Sequence, residues 1–469
     1  MHQELSKKCQ WLRNKRGYLI SLFIIIYFLT VNSFSSFAAI PTLRVGIFLD
    51  YKEVELKGEK GLQIYELPAM KKLFEHDNNK SIKIKASLNG ININNQLFPS
   101  VNEIKIIPGN GGFIQVNDRK YRGEIEVILN HSILNVINVI ELEKYLYGVL
   151  KKEVSPEWPE ETLKAQAIAS RTFALSNLNK FIDKGYNICA TTNSQAYGGI
   201  YHEDPATNKA VNDTRGIIAV YQDEPINAVY HSDCGGYTEN SEDVWGAYVP
   251  YLRSVSSDYE GLVSPPNHVW EYSMSKQEIL EILNQKDMKI NDIKDILVNE
   301  KTDTGRVKSI EIIGNQNNKL KLKTNDFRLL IGPTFIRSSL FTINVIRVIE
   351  NKIEEKKPVK DILENSQTES KPVEKSVKQI LQEDRDFSIS ELLDLLKRSE
   401  KEEKNDVISS TVPDNIDNNA EVKFIFNGQG NGHGVGLSQW GAYGMALKGF
   451  NYEEILKYYY QGIQLKKLY

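Results

Sequence analysis

Residues Leu142–Leu178 read LEKYLYGVLKKEVSPEWPEETLKAQAIASRTFALSNL, and the rest of the chain is organised around them. The spacing predicts a helix that ends near Glu153, an elbow holding Trp158 and two prolines, and a long second helix. Pro156 and Pro159 lack an amide donor, so each suits a loop or a first helical turn. Pro159 is expected to start the second helix. Glu160 and Glu161 then fall in its first turn, where the helix dipole favours negative charge. Leu163, Ala167, Ala174, Leu178 and Phe181 recur at helical spacing. Ala165, Ala167, Ala169 and Ser170 are small enough for another element to come close. Gly185 is the expected stop.

Upstream, from Ile40 to about Asn130, strand-like runs dominate: LRVGIFLD, SIKIKASL, GFIQV and GEIEVIL. Turn signals such as Pro108-Gly109-Asn110-Gly111-Gly112 separate them. Downstream, GIIAVYQDEPINAVYHSDCGG reads as a hairpin of two strands, Ile217 to Tyr221 and Ile226 to His231. A helix at Lys276 to Gln285, strands RVKSIEIIG and KLKLK, a short helix at Asn325 to Leu330 and a strand at Phe341 to Val348 follow. The tract 351–420 has no glycine and a single aromatic, Phe387. It is packed with charge and is expected to be disordered. The chain then turns globular again with a strand, a glycine-rich loop from Gly428 to Gly436, a helix from Leu437 to Lys448 and a last helix capped by Asn451 and Glu454. The fold class expected is α+β. A β-rich domain (39–135) precedes a mixed α/β domain (136–350), which the polar insertion (351–420) interrupts and residues 421–469 complete.

At 469 residues with a formal net charge of -3, the chain lacks the clustered basic surface that nucleic-acid binding normally needs. Its N-terminus carries Lys7, Lys8, Arg13, Lys15 and Arg16, then an apolar run from Tyr18 to Val31, then Ser36-Phe37-Ala38. That is the pattern of a secretory signal peptide over 1–38, which implies an exported protein of the periplasm or cell wall. If uncleaved, the same segment would be the chain's one membrane anchor. Cys9 leaves with the signal; Cys189 and Cys234 remain, and sequence alone leaves open whether they pair.

Three places offer chemistry. Glu153 in an apolar cleft would be desolvated and its pKa raised, as a general acid requires; from composition alone, beside Lys151 and Lys152, it reads as a solvated glutamate. In the run His231-Ser232-Asp233-Cys234, neighbours on a strand point to opposite faces, so His231 and Asp233 share one face and Ser232 and Cys234 the other. The third is GQGNGHGVGLSQWG, whose glycines lack the Lys-Ser or Lys-Thr of a phosphate loop. His433 there is expected on a pocket wall. Ser438 and Gln439 open the next helix, where amides and side chains can hold sugar hydroxyls or an anion.

The elbow stretch, the later SQAYGG, the run YHSDCGGYTE…VWG…PYL and the closing GNGHGVGLSQWGAYGMA together resemble the SpoIID/LytB family, over about Ile137 to Gln464 apart from the insertion. That family comprises a sporulation-stage peptidoglycan lytic transglycosylase and its relatives, amidase enhancers among them. The resemblance implies glycan strands as substrate, a cell-wall amidase as the further partner, Glu153 as catalytic acid and Arg171 as a functional arginine. Gln195, His231, Ser232, Cys234, His433 and Gln439 fall in its other motifs and are expected, with Tyr197 and Ser438, to bind substrate, and Arg171 to bind a substrate carboxylate or steady the elbow. Some members hold zinc near the equivalent of Cys189 to Gln195. Here Asn193 and Ser194 precede Gln195, and Cys189, His231 and Cys234 are too few for a four-ligand site, so no metal or other cofactor is expected. The same groove could bind glycan without cutting it, as an enhancer would. An inert, membrane-anchored envelope protein is a third reading.

Overall fold

The computed structural model describes residues 39–77, 80–348 and 421–469. The expected signal segment and the expected disordered insertion lie outside them. In the described chain a run of strands up to Ile133–Glu141 is followed by mixed helices and strands, an α+β arrangement of several sheets. Contacts divide it into two units. Of the described residues, the larger takes those up to 272, 280–344 and 426–469, and the smaller takes 273–279, 345–348 and 421–425. In the smaller unit, Ser273–Ile279 holds the end of the strand Val269–Ser275 and the start of the helix Lys276–Asn284.

The leading strands build two sheets. The seven-stranded one runs, in spatial order, Ile188–Cys189, Thr42–Tyr51, Ile133–Glu141, Glu124–Asn130, Glu103–Pro108, Leu62–Glu66 and Lys71–His76. The six-stranded one centres on Glu53–Gly58 and Ser81–Ser87. Alternate residues such as Ile82 and Ile84, Ile104 and Ile106, and Leu134 and Val136 are fully buried in one core, the period-two signature of strands with one face inward. The strand Ile133–Glu141 spans the expected domain boundary. It pairs antiparallel with Thr42–Tyr51, and Ile188–Cys189 adds to the other side of Thr42–Tyr51 in parallel.

That boundary strand runs straight into the first elbow helix, Leu142–Glu153. The pattern changes at Leu142, from alternation to buried Leu142, Tyr145, Leu146, Val149 and Leu150, one stripe of a helix. The helix stops at Val154, whose backbone is extended. Pro156, two residues on, disfavours helix at Ser155. The second helix, Glu160–Ser176, has Pro159 in the capping position just outside its first turn, with Glu160 and Glu161 inside it as expected. Its buried residues lie on every side. It packs against the first helix, the helix Pro205–Asp213, the strand Ile217–Tyr221 and the C-terminal helices Gln439–Leu447 and Tyr452–Tyr459. A helix with neighbours all round needs the small residues it carries.

Two local expectations are corrected. The second helix ends at Ser176, where Asn177 caps Phe173 O through both its amide and its side chain (3.2 and 2.9 Å). Gly185, at φ +83°, closes a separate short turn, Ile182–Lys184. The hairpin after Gly216 is also different. Ile217–Tyr221 pairs with only Glu224–Pro225 on one side and with Gln464–Lys467 on the other. Tyr230–His231 instead pairs in parallel with Leu437–Ser438. The alternation of INAVYH was real, but the partner strand lies two hundred residues away in sequence, where a local reading cannot see it. The cap formed by Asn451 and Glu454 is present as a reciprocal capping box.

Candidate functional site

Glu153 closes the first elbow helix, and three elements converge on its carboxylate. The Tyr230 hydroxyl comes from the short strand, the Gln439 amide from the start of the last-but-one helix, and the Ala196 backbone N–H from the loop after Cys189. The residue as a whole is half-buried. Burial of its carboxyl is nevertheless the largest influence and raises its pKa above the ordinary carboxylate range, against the lowering effect of those three donors and of Lys152. Glu153 is thus a desolvated acid in a cage of donors, not the solvated glutamate that composition suggested.

The cage is itself held. Gln195, almost fully buried, donates to Tyr230 Oη (3.1 Å) and to Ser170 O (3.2 Å), and accepts from Tyr145 Oη (3.2 Å). Gln439 donates to Gln166 Oε1 (3.5 Å), and Gln166 donates one helical turn on to Ser170 Oγ (3.1 Å). Tyr230, Gln166 and Ser170 are therefore site residues that sequence reasoning did not single out. For Tyr230 the signal was present: on the strand it faces opposite His231. Beside the elbow, Trp158, Trp440 and Tyr443 form a half-buried aromatic cluster, with ring centroids 4.7 Å (Trp158–Trp440) and 5.1 Å (Trp158–Tyr443) apart.

Arg171 and Tyr197 do not face this site. Arg171 is fully buried and pairs with both oxygens of Glu143 (2.8 and 2.9 Å), with Val211 O and Ile217 O adding further acceptors. Tyr469 donates to the same carboxylate. Arg171 locks the two elbow helices together through Glu143, and a substrate could not reach it. Tyr197 lies in the core, donating to Asn138 Oδ1 (2.8 Å) beneath the first helix. Its ring excludes any side chain at Gly148, where an added Cβ would come within 2.6 Å.

The glycine-rich loop folds back on the segment around His231. Asp233 and Asn431 exchange backbone hydrogen bonds (3.1 and 2.8 Å), and Trp440 N donates to Ser232 O (3.0 Å). Gly432 (φ +123°) and Gly436 (φ +73°) make this possible. A Cβ at the first would sit 2.5 Å from the His231 Cβ, and at the second 2.3 Å from Val229 O. His231 and His433 stand with ring centroids 5.4 Å apart, and Trp245 flanks His433 at 5.1 Å. Burial, then the repulsion of Arg328 and Arg306, pushes the His433 pKa down to about 3, and His231 is also held well below its ordinary value, chiefly by burial. Both rings are neutral at physiological pH. Ser438 caps the helix Gln439–Leu447 by accepting from Gly441 N (3.1 Å) and donates to the buried Glu260. Its side chain is fully buried and engaged within the protein. Ser232 is half-buried and donates to Asp233 Oδ2 (3.4 Å).

Cys189 and Cys234 are both free. The Cys234 thiol donates to Glu260 (3.0 Å), and burial raises its pKa well above the ordinary range. Among the described residues, Asp233, Glu260 and His268 bring potential metal-ligand atoms within 4.8 Å of one another. Glu260 is already engaged by the amides of Cys234 (2.8 Å) and Gly235 (3.0 Å). His268 bonds to Asp233 (3.1 Å). No cysteine belongs to this set.

The family model described as SpoIID, stage II sporulation protein, matches residues 130–221, the segment that carries the elbow, Glu153 and Gln195. An uncharacterized protein of Brachyspira hyodysenteriae is 28% identical over 80% of this chain and 81% of its own length. A Bacillus subtilis protein named amidase enhancer is 28% identical over 68% of this chain, which spans 40% of that protein. The stage II sporulation protein D of Bacillus subtilis is 26% identical over 72% of this chain and 77% of its own length. These matches support the resemblance to the SpoIID/LytB family, most directly over residues 130–221.

Proposed function

We propose that the chain acts on the bacterial cell wall and cleaves peptidoglycan glycan strands as a lytic transglycosylase. The observation that carries this is Glu153: a single carboxylate, desolvated and caged by Tyr230, Gln439 and the Ala196 amide. Glycoside hydrolysis normally needs two carboxylates, the second to serve as nucleophile or to activate water. A lytic transglycosylase needs one, because the substrate supplies its own nucleophile. Glu153 in its protonated form gives its proton to the departing glycosidic oxygen. As carboxylate it then takes the proton of the C6 hydroxyl of N-acetylmuramic acid, and that oxygen closes on C1 to give a 1,6-anhydro product. Tyr230 and Gln439 orient the carboxylate in both states. The rings of Trp158, Trp440 and Tyr443 offer flat apolar surface to a sugar face. Assistance of this acid-base kind contributes about 10²–10⁴-fold.

The chain must be outside the cytoplasm for this role, which the basic head and apolar run before Ala39 support; N-terminal sequencing of the exported protein checks cleavage after Ala38. A second reading, binding glycan to stimulate a cell-wall amidase, is favoured by the relative named amidase enhancer. Mass spectrometry of products from purified glycan strands separates the two. A transglycosylase releases anhydro-muropeptides unaided, whereas an enhancer releases none alone and raises the yield of an added amidase.

A further inference from the structure

A small cleft bordered by Glu239 and by Gly432 and His433 of the glycine-rich loop has a chemically unbalanced lining. Arg306 and Arg328 both border it, with Lys308, Asn325, Ser339 and His433. Arg306 is 1% exposed and Arg328 8%. The Nε of each is buried without a hydrogen-bond partner. Among the described residues the Arg328 side chain makes no hydrogen bond or ion pair. Arg306 reaches only neutral oxygens, those of Cys234, Tyr237 and Ser339. Acidic groups do act on Arg306, namely Glu239 at the cleft with Glu260 and Asp233 nearby, whereas the one charge that acts on Arg328 is that of Arg306. Glu239 accepts from the hydroxyl of Thr302 (2.6 Å), and Asp243 pairs with Lys308 (3.0 Å).

A guanidinium does not shed its proton in a protein. A buried one left without a counter-charge is strongly destabilising, and two that repel each other are worse. Each Arg also presents a fork of N–H donors that matches an oxyanion in two places. We propose that this cleft is an anion site, in which a small oxyanion (a carboxylate or a phosphate group) bridges Arg306 and Arg328, with Asn325 and Ser339 as neutral partners. The electrostatics agree: the Arg328 pKa is pushed down to about 10 by burial and then by Arg306, the direction a nearby anion would reverse. The site does not depend on whether Glu153 cuts glycan. It does touch the same loop, because Arg306 packs against Gly434, where a Cβ would meet its Cζ at 2.7 Å. An anion there braces the segment that carries His433 and leads to Gln439.

The test is thermal unfolding of the full chain, with inorganic phosphate or acetate replacing chloride at constant ionic strength. The site predicts a saturable rise in Tm of about 4 °C or more in at least one arm. A response to acetate identifies a carboxylate site; one confined to phosphate identifies a phosphate site. Arg328→Gln, checked for folding by circular dichroism, should lose the rise. Arg328→Lys, which keeps the charge without the fork, should weaken the apparent affinity about tenfold or more. Calorimetric titration of the wild-type chain gives a second reading that needs no variant. No saturable binding of either anion to the wild-type chain overturns the proposal, as does an equal response in Arg328→Gln.

Discussion

At the scale of single residues, the account turns on which side chains touch Glu153 and which only support those that do. Gln195 supports: it fixes the Tyr230 hydroxyl that meets the carboxylate. Replacing Gln195 by Ala should lower kcat about tenfold, the worth of one net hydrogen bond of about 1–1.5 kcal/mol, and leave KM nearly unchanged. Steady-state kinetics on glycan strands checks this, and a KM effect of equal size would mean that Gln195 holds substrate instead. The neutral imidazoles carry a second expectation. His433 titrates at about 3, so the pH–rate profile should have no limb between pH 6 and 7 that His433→Gln removes. Glu153 itself was legible in the chain as a carboxylate at a helix end, but only the family pattern singled it out from Glu157, Glu160 and Glu161. Its desolvation was not legible, because Tyr230, Ala196 and Gln439 come from places that only the fold brings together. Of the two roles expected for Arg171, binding a substrate carboxylate or steadying the elbow, its buried pair with Glu143 on the first helix favours the second.

At the scale of elements, the two elbow helices are joined by the Arg171–Glu143 pair, and no solvent reaches either partner. Removing one partner leaves the other buried and uncompensated. Arg171→Ala should therefore cost about 3–5 kcal/mol of stability, measured by urea unfolding. If activity falls with stability unaltered, Arg171 acts on substrate after all. The aromatic cluster belongs to the same scale. Trp440→Ala should raise KM by about threefold to tenfold, the effect of losing an aromatic stack worth about 0.5–1.5 kcal/mol, with little change in kcat. Most elements were readable from period alone: both elbow helices, the leading strands and the last capped helix. The failed hairpin has a plain cause. Tyr230–His231 finds its partner in Leu437–Ser438, and a pattern that alternates correctly does not say with what it pairs.

At the scale of the whole molecule, the raised Glu153 pKa and the lowered Glu143 pKa pull stability in opposite directions with pH. Glu143 is the depressed case: burial alone would raise it, but Arg171, Tyr469 and the Gly216 amide together lower it. Its contribution is present above the unfolded carboxylate range and is lost as pH falls through the folded value. Glu153 is the raised case. Between the unfolded carboxylate pKa of about 4.3 and its own folded value, the folded state holds the proton more tightly, so stability falls as pH rises through that window and stays lowered above it. Glu153→Gln removes that penalty. The variant should melt higher than the wild type at neutral pH, and the gap should close below about pH 4. An equal Tm at neutral pH would mean that the carboxyl is solvated.

The most direct test of the central claim is turnover of purified glycan strands by the wild-type chain and by Glu153→Gln, with products followed by mass spectrometry. The account predicts 1,6-anhydro-muropeptides from the wild-type chain and a loss of at least about 10²-fold in the variant, although the variant is folded and more stable. Release of the same products at the same rate by Glu153→Gln would contradict it.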